Sequence, residues 1–280
     1  MSRGPLPLVL CARQELTLAV RSRWTQIFAV VFAVFALAVA ASGYILSGGS
    51  GFQDFSRTAA SLVQLVLLLV PLTALVSGVM TLAPDAGAAE LLFSQPLARR
   101  TILLGKLAGV FLALVASQAI GFGAAGVCLF IRTGADGLGG FLAVVAASAT
   151  LTAVFLAIAA AIASGDTSVR RARNLGLALV VWFVAVVLFD IAALGIASLL
   201  PSGLASRVLM VAAILNPVDA IRTGTMLAVE GTTAFGAASL AFLRFTGGVS
   251  GAAAWLTSSV VAWLALSLVA ASVRLTRADL

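Results

Sequence analysis

Leu62–Leu82, LVQLVLLLVPLTALVSGVMTL, is a run of 21 residues without a charged side chain. As a helix rising about 1.5 Å per residue it would cover about 30 Å, the thickness of a bilayer's hydrocarbon core. The run is rich in Leu and Val and lacks the strict alternation of a barrel strand, so it predicts a transmembrane helix. The same test, carried outward, finds five more spans: Ile27–Leu46, Leu107–Ile131, Phe141–Ala163, Leu175–Leu200 and Ala252–Val273. The expected fold is an all-α polytopic bundle of six transmembrane helices, one domain over residues 1–280.

Between the second and third runs lies Ala88–Lys106, AAELLFSQPLARRTILLGK. Helix formers lead up to Gln95. Pro96 cannot continue that helix, because it lacks an amide donor and clashes with the preceding turn, but it can open the next one. Two short helical pieces broken at Pro96 are therefore expected within residues 83–106. A broken, charged pair on the water side of a membrane protein suits a docking surface, with Glu90, Gln95, Arg99 and Arg100 as its handles.

Composition agrees. Hydrophobic residues make up 62% of the 280 and charged residues 10%, against roughly 25% charged in an ordinary soluble domain. Mean hydropathy is +1.16. The first run starts too late and is too long for a cleavable signal peptide. The segment before it, within residues 1–25, mixes Leu6, Val9, Leu10, Leu16 and Leu18 with Arg13, Glu15, Arg21 and Arg23. That pattern suits an amphipathic helix on the membrane surface, or a basic flank that only fixes orientation.

With six spans and the amino terminus inside, twelve Lys and Arg fall on the cytoplasmic side and five outside. That is the positive-inside bias, and it puts both termini in the cytoplasm. The basic balance (sequence pI 11.2) then reflects orientation and anionic lipid contact, and nucleic-acid binding is not expected. The chain has no His and two Cys, Cys11 and Cys128, expected near opposite membrane faces. Histidine-based catalysis and the usual intramembrane zinc motifs are thereby removed. Gly105-Lys106 is no phosphate loop, since Arg100 and Leu107 stand where Gly and Ser or Thr are required. Gly105 with Gly109, and Gly247 with Gly251, are spaced for close helix packing, and either the first pair or the first and fifth spans are candidates for the axis of a homodimer.

Asp190 is the one acidic residue inside a span. It reads either as a proton or cation site, or as a carboxylate at the outer interface, or as one paired with Arg132 or Arg207. Residues 201–251 form a long outer connection. Within it Arg207–Leu215 is too short to span and is expected at the interface. In NPVDAIR, Asn216 can cap a helix, Pro217 fits its first position, and Asp219 sits in the positive first turn, three residues from Arg222. Asn216, Asp219 and Arg222 are either a self-contained cap or a recognition surface for an extracytoplasmic partner.

Taken whole, the chain resembles the membrane subunit of ABC-2 class export systems. The likeness rests on ELTLAVRSRW at the end of the amino-terminal helix, the six spans, LLFSQPLARRTILLGK, and the long outer stretch before span six. Within the class, LLFSQP followed by Arg99, and ILNPVDAIR, are similar to the permease that serves nitrous oxide reductase maturation. The resemblance implies a homodimer, two copies of a separate cytoplasmic ATPase carrying ATP and Mg, and a periplasmic accessory protein. It also implies residence in the bacterial inner membrane and support for assembly of a copper–sulfur cluster in the reductase. This chain itself would be non-catalytic and bind no cofactor. A membrane scaffold or a secondary carrier without an ATPase is the alternative, and copurification of an ATPase separates the two.

Overall fold

The computed structural model describes residues 6–47, 51–82, 98–133, 137–164, 171–231 and 236–277, and among these there is no strand. An amino-terminal helix α1 (Leu6–Arg21) is followed by α2 (Arg23–Ser47), α3 (Gly51–Leu82), α4 (Arg99–Thr133) and α5 (Leu138–Ala163). A long rod then combines α6 (Arg171–Phe183), a π-helical segment (Val184–Leu188) and α7 (Phe189–Ser198). Two short helices, α8 (Ser202–Leu215) and α9 (Pro217–Glu230), and then α10 (Ala237–Thr246) lead to the final α11 (Val249–Arg277).

Six of these helices, or rods, are long and apolar enough to cross a membrane: Arg23–Ser42, Thr58–Leu82, Arg99–Ile131, Leu138–Ala163, Arg171–Ser198 and Val249–Thr276. They match the six expected runs, but the third starts eight residues earlier, at Arg99. The expected second short piece is the first two turns of α4. From Arg99 on nothing breaks the helix, and the Ala98 carbonyl already accepts from the amides of Thr101 and Ile102. The first piece, with Glu90 and Gln95, lies outside the described residues.

The core forms where α2, α3, α4 and α5 face one another, with α9 inserted against it. Phe32, Phe122 and Phe141 make an edge-to-face chain with centroids 5.1 and 5.9 Å apart, a preferred aromatic geometry. Pro71 sits inside α3. The carbonyls before it find side-chain donors: Thr73 Oγ1 bonds to Leu69 O, and Trp182 Nε1 to Leu68 O at 3.1 Å. Gly247 ends α10 in a left-handed conformation at φ 85°, and a Cβ on Gly251 would lie 1.9 Å from the Thr246 carbonyl. That second glycine pair therefore builds the tight α10–α11 turn and is not free for helix dimerisation.

Candidate functional site

Among the described residues, charged side chains meet in two regions of the bundle. At one end, where α4 begins and α5 and α11 finish, arginines close helix termini. Arg99 Nη1 donates to Leu275 O at 3.1 Å, and Arg274 Nη1 to Ala161 O at 2.8 Å. Both carbonyls belong to last turns, which lack intrahelical donors. Arg99 is thus drawn inward, while Arg100 is exposed.

Two turns further along α4, Lys106 donates to Thr81 O at 3.3 Å and stands 4.0 Å from the Glu15 carboxylate. Gly105 and Gly109 make this approach of α1 possible. A Cβ on Gly105 would lie 2.6 Å from Cys11 Cβ, and one on Gly109 2.6 Å from the Ala12 carbonyl. The groove that the sequence offered to a second copy is filled by α1 of the same chain. Burial raises the Glu15 carboxyl above its ordinary value of 4.5, and the Lys106 ammonium offsets part of the rise.

A raised value means the protonated carboxyl suits the folded chain better than the charged one. Its stabilising contribution is complete below the ordinary value and lost as pH climbs through the shifted one. As pH rises from 4.5, wild-type protein in nanodiscs should therefore lose melting temperature relative to Glu15→Gln. The opposite slope in a thermal unfolding series would mean that Lys106, and not burial, governs this carboxylate.

The second region is the hairpin of α8 and α9, which meet at 101°. Asn216 is the corner. It caps α9, its Oδ1 accepting from the Val218 amide at 3.1 Å, with Pro217 in the first position. That part of the sequence reading holds. The same side chain also donates through Nδ2 to Ala185 O at 2.8 Å, inside the π-helical segment of the fifth span, and to Asp219 Oδ2 at 3.0 Å. Just beyond the π segment, Asp190 takes Arg222 through two contacts, Nη1–Oδ2 at 2.8 Å and Nη2–Oδ1 at 3.4 Å. Arg222 Nη2 also lies 2.5 Å from Asp219 Oδ1, close but without hydrogen-bond alignment.

One guanidinium thus serves two carboxylates. Asp190 lies eight residues before the end of α7, about 12 Å along the helix, so the hairpin dips back into the bundle. At that depth a charge is tolerated mainly by pairing. The partner of Asp190 is Arg222. Arg207, one of the two expected partners, is exposed. Asn216 and Asp219 are each 3% exposed, and Arg222 pairs within its own chain. The reason is the dip of α9, which no local pattern encodes.

A third polar group escaped the sequence reading. Gln118 of α4 donates to Thr152 Oγ1 at 2.9 Å and accepts from Ser148 Oγ at 2.9 Å, all three buried. Ser148 and Thr152, four apart on α5, share a helix face, and that spacing could have signalled a polar seam between spans three and four. Among the described residues no group of three or more His, Cys, Asp or Glu side chains could hold a metal ion.

Residues 10–280 match the family model described as ABC-2 family transporter protein. The chain is 34% identical over 263 residues to a protein of Pseudomonas aeruginosa named "Probable ABC transporter permease protein NosY", covering 92% of this chain and 94% of that one. It is 35% identical over 268 residues to the protein of the same name from Stutzerimonas stutzeri, covering 93% and 94%. Six spanning helices, a hairpin latched into the bundle by buried charge, and a match over nearly the whole length give one conclusion: this chain belongs to the ABC-2 transporter family, as the membrane-spanning permease subunit of an ABC transporter.

Proposed function

We propose that two copies of this permease are driven by two copies of a separate cytoplasmic ATPase, which holds ATP and Mg, and that the assembly acts with a periplasmic accessory protein in copper–sulfur cluster assembly of nitrous oxide reductase. The observation that carries the reading is the continuity of α4. It runs as one rod from Arg99 to Thr133 across the membrane. A push on that end cannot be absorbed by a hinge within α4. Arg99 and Arg274 further tie the ends of α4, α5 and α11 into one unit, as rigid-body transmission requires.

In this reading Glu90, Gln95 and Arg100 meet the ATPase, and Arg99 anchors the segment they stand on. With the amino terminus inside, twelve of the 17 Lys and Arg would fall on that side, a bias that favours cytoplasmic termini and an inner-membrane location. The α8–α9 hairpin lies toward the periplasm and carries the movement to the accessory protein. The fifth span is the helix with most free surface for the second copy: 6% of its most apolar stretch is buried, against 44% for the second and fourth spans.

Arg100→Glu and Glu90→Lys should each lower ATPase copurification and ATPase stimulation while leaving membrane insertion intact. Unchanged retention of the ATPase in both variants, with topology checked by cysteine labelling, would overturn the docking assignment.

A further inference from the structure

Between α4, α5 and α11 lies an apolar groove of about 220 Å³. Its floor is α5, at Ala153. Its walls are Leu104, Ala108 and Phe111 of α4, and Leu264 and Leu268 of α11. Every residue lining it is apolar. The groove exists because α4 and α11 both pack on α5 but scarcely touch each other, meeting where Arg99 bonds to Leu275 O. Leu104 at its edge is 44% exposed, so the groove opens to the surroundings of the bundle.

Its polar end is cationic. Arg100, Leu104, Ala108 and Phe111 recur at helical spacing and lie on one face of α4, so the exposed Arg100 stands one turn, about 6 Å, beyond the lining. Arg274, also exposed, reaches Ala161 O, one turn beyond Ala157 of the lining. Hydrocarbon walls continued by two arginines complement an amphiphile with an apolar tail and an anionic head.

We infer that this groove is a binding site for one acyl chain of an anionic phospholipid, drawn from the leaflet into which Arg100 and Arg274 emerge, with Arg274 on its phosphate and Arg100 shared between that headgroup and the docking surface. The site pads the junction of three helices at the end on which, by the reading above, the ATPase pushes. The inference rests on that reading only for the side of the membrane.

The test is native mass spectrometry of the purified complex released from nanodiscs of phosphatidylglycerol and phosphatidylethanolamine. The wild type should retain one phosphatidylglycerol per copy. Ala108→Phe and Ala153→Phe, which fill the groove from two different helices, should each lower that occupancy roughly tenfold, the loss expected from about two unburied methylenes. Ile120→Phe, at an exposed position elsewhere on α4, should leave it unchanged. Arg100→Gln with Arg274→Gln should remove the preference for phosphatidylglycerol while some lipid stays. Undiminished lipid in both groove variants overturns the site. So does loss of the dimer mass in those variants with lipid intact, since a second copy would then cover the groove. ATPase retention is scored in the same spectra: its loss in the arginine variant with lipid unchanged overturns the headgroup assignment and leaves Arg100 to docking.

Discussion

Arg222→Ala should cost about 3 kcal/mol of stability, the lower end of the range for breaking a buried ion pair. The lower end applies because Arg222 and Asp190 keep about a third of their side-chain surface accessible. The substitution removes the one cation between Asp190 and Asp219 and leaves two carboxylates facing each other where the hairpin dips into the bundle. Asp190→Asn should cost less, because Arg222 keeps Asp219. Denaturant or thermal unfolding in nanodiscs gives both numbers. A loss below about 1 kcal/mol for Arg222→Ala, the scale of an exposed pair, would mean that water and not Arg222 balances the carboxylates.

A charge-free network separates stability from function. Asp190→Asn, Asp219→Asn and Arg222→Leu together remove every ion, and replacing a whole buried network is often nearly neutral for folding. Such a variant should fold and, on the proposed function, retain the partner ATPase; reductase maturation is then the assay. If the latch of α9 onto the π segment of the fifth span transmits movement, the variant should still fail to support reductase maturation. Full maturation with the triple variant would reduce the latch to a structural staple.

Gly109→Leu should detach α1. The new side chain meets the Ala12 carbonyl at 2.6 Å and the Leu16 amide nitrogen at 2.8 Å, both backbone atoms that cannot rotate away. Overpacking costs about 1–3 kcal/mol where a core must absorb it. Here the cheaper response is for α1 to lift off. Trypsin cleavage after the exposed Arg13 and Arg21 should then accelerate roughly tenfold, since cleavage follows the population of the open form. Gly123→Leu, with nothing within 4 Å of its Cβ on the same helix, is the control and should not change the rate. Equal rates in the two variants would show that α1 does not depend on the Gly105–Gly109 groove.

The sequence by itself determined the six spans, because each rests on a local run of apolar residues longer than the hydrocarbon layer is thick. It also determined the start of α9, because a cap is a matter of four consecutive residues: Asn216, Pro217, Val218 and Asp219. Tertiary structure alone decided partners. Asp190 and Arg222 are 32 residues apart, and Arg99 and Leu275 176. Pairing at such distances depends on which helices pack together and on a 101° bend that turns α9 into the bundle. The glycine spacing at 105 and 109 announced a close approach but not by which helix, since a smooth groove admits any partner. Hydropathy measures what leaves water, and capping what ends a helix. Neither measures which buried charge meets which, and that choice is made only when the rods are assembled and every ion in the low-dielectric interior must find its opposite.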